Sequence, residues 1–153
     1  MKKRIFMILA MVWMGIIFYM SNQPASISAQ HSGGVVELLS NLPYIGSIVT
    51  YLMDIDIAEF LVRKSAHMLS YFILAALLFM YMYEVGKSIG KVVLIVIVLT
   101  FLYACTDEFH QLFIPGRSGE FRDVMIDTIG GIIGCSVMYI CSLIKDKFRC
   151  KID

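Results

Sequence analysis

Four short runs hold the side chains able to do chemistry. "TDEFHQ", Thr106 to Gln111, places Asp107, Glu108, His110 and Gln111 together; "RKSAHMLSY" places Arg63, Lys64, His67 and Tyr71; "IPGR" ends in Arg117; "RDVMID" spaces Asp123 and Asp127 four apart. A carboxyl held away from water suits proton transfer near neutral pH. Imidazole is the side chain whose ordinary titration range lies closest to neutrality. Glu108 and His67, with Asp107 beside them, are therefore the candidate catalytic groups. Arg117 follows a Pro-Gly turn, and a guanidinium can grip a carboxylate or phosphate with two parallel hydrogen bonds. Arg117, Lys64, Arg63, Gln111, Tyr71, Ser21, Gln23, Asp123 and Asp127 are the candidate ligand-binding residues. The plainer alternative is an ion-pair network that locks helices together, with Arg117 paired to Asp123 or Glu120.

Other chemistries are less well supported. His67, His110, Asp107 and Glu108 offer nitrogen and oxygen donors, but no HExxH or comparable spacing is present. No metal or other cofactor is expected. Ser21, Ser65, Ser70 and Ser118 lie in no GxSxG-like elbow. Cys105, Cys135, Cys141 and Cys150 form no CxxC pair and read as packing residues.

The elements that must position these groups are membrane helices. The chain has 153 residues, 59% hydrophobic and 16% charged, with net charge +1; soluble domains carry about 25% charge. The small net charge argues against a nucleic-acid partner, which would need a clustered basic face. A span needs about 20 mostly apolar residues. Four segments fit, near 5–20, 66–83, 92–111 and 124–144, within one domain covering 1–153. The expected fold is all-α and polytopic. The first segment follows Lys2, Lys3 and Arg4 but reads as an uncleaved span rather than a signal peptide.

Lys and Arg set the orientation. Lys2, Lys3, Arg4, Lys87, Lys91, Lys145, Lys147, Arg149 and Lys151 fall on one side of a four-span chain. Both termini are expected in the cytoplasm, with the loops near 21–62 and 112–122 outside. The first of these loops is apolar but interrupted by Gly33-Gly34, Pro43 and Gly46. Short interfacial helices are expected near Val35–Leu42 and Ile45–Leu52, with Asp54 or Asp56 capping the helix that leads into the second span.

Direction then brings the polar residues together. Spans one and three end outside, at Ser21 and Gln23 and at Asp107, Glu108 and Gln111. Spans two and four begin there, with Lys64, His67 and Tyr71 and with Asp123 and Asp127. The spacings i, i+3, i+7 and i, i+4 put each set on one helix face. From Val92 to Thr106 the apolar run is about 22 Å long, short of a hydrocarbon core about 30 Å thick. Carboxylates at that depth belong in a bundle interior or a wet pocket, since facing lipid costs about 2.5–3.5 kcal/mol each. The spacing Gly130-x-x-x-Gly134 signals close packing with another span or with a second copy in a homo-oligomer.

These runs resemble the VanZ-like family. The matching residues are Lys64, His67 and Tyr71; Asp107, Glu108 and Gln111; Pro115, Gly116 and Arg117; Asp123, Asp127, Gly130 and Gly134; and the Ser21-Asn22-Gln23 end of span one. Asp127 stands where many relatives have Asn. The resemblance implies a role at the cell envelope and lowered susceptibility to teicoplanin-type glycopeptides, and brings no settled reaction. Three classes stay open: a binder of a glycopeptide, an anionic lipid headgroup or a lipid-linked wall precursor; an enzyme acting on a lipid-linked substrate through Glu108 and His67; and a structural partner in the bilayer.

Overall fold

The computed structural model describes residues 1–54 and 56–149, with side chains as far as Lys147. Cys150, Lys151 and the Arg149 side chain lie outside the described residues. Six helices follow one another: α1 (Lys2–Ser21), α2 (Ala25–Ser40), α3 (Gly46–Asp54), α4 (Ala58–Glu84), α5 (Ile89–Gln111) and α6 (Phe121–Arg149). Among the described residues there is no strand. Helices α1, α4, α5 and α6 are each long and apolar enough to cross a membrane. Their outward faces are apolar, as lipid requires: Ile8, Met11 and Val12 on α1, Leu94 and Leu102 on α5, and Ile132 and Ile140 on α6 are all exposed.

Cross-helix contacts give the topology. Trp13 Nε1 on α1 donates to the Ser70 carbonyl on α4 (2.8 Å), and Tyr103 Oη on α5 donates to the Met14 carbonyl on α1 (2.7 Å). Ser21 pairs with Asp107 further along the same two helices, so α1 and α5 run parallel. Helices α4 and α6 are also parallel and stay in step along their whole length: Lys64 meets Asp123, His67 meets Asp127, Met68 lies against Gly130, Phe72 against Gly134, and Tyr83 donates to Asp146. The two parallel pairs run in opposite directions, with α4 packed on α1, α2, α5 and α6.

Glycines set the spacing of the α4–α6 pair. A Cβ at Gly130 would lie 2.2 Å from the Met68 carbonyl oxygen, and one at Gly134 2.3 Å from that of Phe72. A Cβ at Gly131 would lie 2.4 Å from Thr100 Cγ2 on α5. The small-residue stripe is thus used inside this chain, between α6 and its two neighbours. Below it, Ala75, Phe79, Val92, Val96 and Cys135 form a buried apolar cluster.

The first loop departs from expectation. Gly33-Gly34 does not interrupt a helix, because α2 runs unbroken from Ala25 to Ser40 and Pro24 supplies its N-cap. A Cβ at Gly33 would sit 3.3 Å from Glu59 Oε1 on α4, the tip of an exposed side chain that can move aside, and one at Gly34 would meet nothing within 4 Å. The second short helix is α3, of 9 residues. The expected Asp54 or Asp56 cap is not made. Asp54 ends α3, Asp56 turns the chain with φ 56°, and Ile57 takes the N-cap position of α4 with no side-chain cap. Because α4 begins at Ala58, Arg63 and Lys64 are already helical when the apolar run begins.

Candidate functional site

One end of the bundle gathers the polar residues. Asp107, Glu108 and Gln111 face inward from the last turns of α5, with exposures of 3%, 4% and 4%. Ser21 Oγ, at the end of α1, donates to Asp107 Oδ2 (2.8 Å), and Gln111 Nε2 donates to the same oxygen (3.2 Å) and to Glu108 Oε1 (3.0 Å). The backbone N–H of Glu120 donates to Glu108 Oε2 (3.1 Å). Gly119 makes that possible, for a Cβ there would lie 2.4 Å from the Glu108 carbonyl oxygen. The loop between α5 and α6 is therefore folded tightly back onto α5.

From the other side come α4 and α6. Lys64 and Asp123 form an ion pair that is mostly buried. One turn deeper, His67 Nδ1 faces Asp127 Oδ2 at 3.7 Å, too far for a direct hydrogen bond. Asp127 is 1% exposed, and neither of its oxygens has a hydrogen-bond partner. Tyr71 is fully buried, with its hydroxyl also unpartnered. His67, Asp107, Glu108 and Asp127 each bring one donor atom to within 4.8 Å of the others.

Arg117 does not take Asp123 or Glu120 as its partner. Its Nε donates to the Gln23 carbonyl (2.9 Å), Nη2 to the Met20 carbonyl (3.3 Å) and Nη1 to Gln111 Oε1 (3.4 Å). It clamps the C-terminal end of α1, where unsatisfied carbonyls and the helix dipole favour a cation. Gly116, at φ 74°, and Pro115, whose carbonyl accepts from Ala25 N–H (3.2 Å), hold the turn in place. Burial, and then the like charge of Arg63, pull the Arg117 pKa below the ordinary arginine value. Glu120 pairs with Arg122 instead. Among the described residues neither Arg63 nor Arg117 has a carboxylate within ion-pair distance.

The other sequence-predicted residues divide. Gln23 holds Arg117 through its backbone, while its side chain folds back to the Tyr19 carbonyl (3.3 Å). His110 lies away from the cluster: it stacks on Phe18, with ring centroids 4.7 Å apart, and its Nε2 lies 3.1 Å from Asn22 Oδ1. Sequence reasoning gave no role to the Glu120 N–H, nor to Phe60, whose ring lies under both Lys64 Nζ (5.4 Å) and Arg122 (5.7 Å). A backbone donor carries no residue-type signal. Phe60 sits four residues before Lys64, a helical spacing that could have pointed to it.

Three cavities reach this end; the roomiest, of ≈ 620 Å³, lies between α2, α3 and the start of α4 and touches the cluster at Arg63 and Phe60, and the other two open onto the cluster itself. One, of ≈ 290 Å³, is polar and includes Arg63, Lys64, Gln111, Arg117 and Asp123 in its wall. The other, of ≈ 240 Å³, is mainly apolar and lies between α1, α2 and α4, with Ile17, Met20, Val35 and Val62 in its wall. Arg63, His67 and Arg117 line both.

A sequence model of the VanZ/LLP1 family matches residues 6–143, nearly the whole chain and every residue of this cluster. The chain belongs to the VanZ/LLP1 family. No curated protein and no solved structure gives a significant match. For this VanZ/LLP1 chain, four candidate membrane spans together with the family match support a multi-pass membrane protein in a lipid bilayer.

Proposed function

We propose that this chain binds an amphiphile with an anionic headgroup at the polar end of the bundle, and that it thereby lowers susceptibility to teicoplanin-type glycopeptides. The observation that carries the reading is the pair of adjoining cavities, polar and apolar, sharing Arg63, His67 and Arg117. Two arginines without a carboxylate partner repel one another unless an anion lies between them. An apolar slot beside them suits an acyl or polyprenyl chain. Teicoplanin-type drugs and lipid-linked wall precursors both join a polar head to such a tail. The basic residues at the opposite end of the spans favour cytoplasmic termini and an outward-facing pocket.

A second reading, a membrane-embedded hydrolase or transferase using Glu108 and His67, draws support from the burial of Asp107, Glu108 and Asp127 around His67, which lines the polar cavity. Intramembrane ionisable groups are functional by default.

Drug susceptibility in a sensitive Gram-positive host tests both. Cells would carry wild type, Arg63→Ala, Glu108→Gln or empty vector, with membrane abundance matched by blot. Binding predicts that wild type shifts teicoplanin but not vancomycin, that Arg63→Ala loses the shift, and that Glu108→Gln keeps it. Loss with both variants favours the enzyme. No shift with wild type removes resistance as the function.

A further inference from the structure

Two of the carboxylates at the centre of the site are not explained by the hydrogen bonds around them, whereas Glu108 beside them has both oxygens held, by Gln111 and by the Glu120 N–H. Asp127 is 1% exposed, yet both of its oxygens lack a hydrogen-bond partner. Asp107 has one oxygen doubly held by Ser21 and Gln111, while its other, Oδ1, is buried and unpartnered. Of the nearby cations two are committed elsewhere, and Arg63 has no carboxylate within ion-pair distance among the described residues. Lys64 pairs with Asp123, and Arg117 holds the Met20 and Gln23 carbonyls and Gln111 Oε1. His67, at 3.7 Å from Asp127, is the remaining cationic group against the carboxylates among the described residues. Unpaired buried carboxylate oxygens are costly, and one imidazole does not balance three carboxylates.

We infer that His67, Asp107, Glu108 and Asp127 form a binding site for a divalent transition-metal ion. The donor set is one nitrogen and three carboxylate oxygens. Imidazole suits Zn²⁺ and Fe²⁺, and carboxylate suits Mn²⁺. Mg²⁺ and Ca²⁺ are held by oxygen and do not call for a histidine. The scale fits: ligands on opposite sides of an ion with bonds of about 2.0–2.2 Å lie about 4.0–4.4 Å apart, and the four donor atoms already lie within 4.8 Å of one another. An octahedral set then needs side-chain movements of a few tenths of an ångström, and a tetrahedral one, whose ligand atoms lie about 3.3–3.6 Å apart at the same bond lengths, movements of about an ångström. An outer layer is also present. Ser21, Gln111 and the Glu120 N–H hold one face of Asp107 and Glu108 and leave the free oxygen of Asp107 to the centre, as second-shell partners orient metal ligands. The ligands arrive from α4, α5 and α6, which is why no sequence spacing marks them. His67 and Gln111 border the polar cavity, so the ion's open positions would face any anionic headgroup held there.

The site does not depend on the antibiotic reading, because metal content is read on the purified protein whatever the susceptibility result. Full-length chain carrying a tag without histidine would be purified in detergent, stripped with EDTA, dialysed against Mn²⁺, Fe²⁺ (anaerobically), Zn²⁺, Mg²⁺ or Ca²⁺, and assayed by elemental analysis. The thermal midpoint would be read with and without metal from Trp13 fluorescence. About one equivalent is expected for at least one of these ions, with a rise in midpoint, since a ligand that binds only the folded state stabilises it. Asp127→Asn should lose affinity by at least about 10-fold, the cost of even an outer-shell change. Asp123→Asn and His110→Ala, outside the set, should retain the metal. Less than about a tenth of an equivalent of every ion in wild type would overturn the proposal, and that result needs no variant to fold. Undiminished metal in a folded Asp127→Asn would overturn it too, and equal uptake of Mg²⁺ or Ca²⁺ would overturn the transition-metal assignment.

Discussion

Replacing Gly130 with alanine tests how the site is held together. The added carbon would stand 2.2 Å from the Met68 carbonyl oxygen, whereas ordinary contact begins at 3.4 Å. The obstacle is backbone in the middle of a 27-residue helix, so it cannot rotate away. Helices α4 and α6 must part by about 1 Å, opening the buried layer on both sides. Overpacking of this kind costs about 1–3 kcal/mol. Alanine's better helix propensity returns at most about 1 kcal/mol. A 2.2 Å approach to backbone belongs in the upper part of that range, so a net loss of about 1–2 kcal/mol is expected, which for a chain of this size lowers the unfolding midpoint by about 2–8 °C. The single tryptophan is a suitable reporter, because Trp13 is hydrogen-bonded to Ser70 on α4. Gly15→Ala is the control: it too is mid-helix, but nothing lies within 4 Å of its added Cβ. Its midpoint should stay level or rise. A Gly130→Ala midpoint within about 1 °C of wild type would refute the close-packing argument, which requires a loss on the scale just given.

Other expectations follow from the same end of the bundle. Arg117→Lys cannot reach the Met20 and Gln23 carbonyls and Gln111 together, and should destabilise by about 1.5–3 kcal/mol in thermal unfolding in detergent; an unchanged midpoint would remove the clamp. A double-mutant cycle of Lys64→Met and Asp123→Asn should give a coupling near or above the roughly 1 kcal/mol ceiling of exposed pairs, since both side chains are mostly buried; a value near zero would mark the pair as incidental. Green fluorescent protein fused to either terminus should fluoresce, while alkaline phosphatase at either terminus should be inactive, if both ends are cytoplasmic; the opposite pattern would invert the orientation and turn the pocket inward.

The four spans were legible because apolar length is a composition signal, and the convergence of polar residues at one end followed from direction alone. Rotational phase was harder to read. On α5, Asp107, Glu108 and Gln111 share a face, while His110 sits about 100° round the helix from its middle, and the structure accordingly puts His110 against Phe18 and Asn22. The helical wheel of α5 alone separates His110 from the face that meets His67. The extent of α2 was hidden because a Gly-Gly pair reads as an interruption, whereas both glycines here take ordinary places within Ala25–Ser40. The contacts of Arg117 were not readable at all, because carbonyls at a helix end carry no residue identity.

The in-step pairing of α4 with α6 has a consequence for synthesis. Lys64 and its partner Asp123 are separated by 59 residues. At about 5–20 residues per second, roughly 60 residues take about 3–12 s to emerge. During that interval α4 has left the ribosome with Lys64 and His67 lacking their α6 partners, and α5 brings two further carboxylates before α6 exists. These groups lie at the ends of their spans, where facing lipid costs each less than the roughly 2.5–3.5 kcal/mol of mid-bilayer, but four of them together still favour the earlier helices waiting in the translocon or at its lipid edge until the last one arrives. Release of the spans into the membrane is then a concerted event timed by α6. Nascent chains stalled before residue 121 should remain crosslinkable to the insertion machinery, and chains extended through α6 should not.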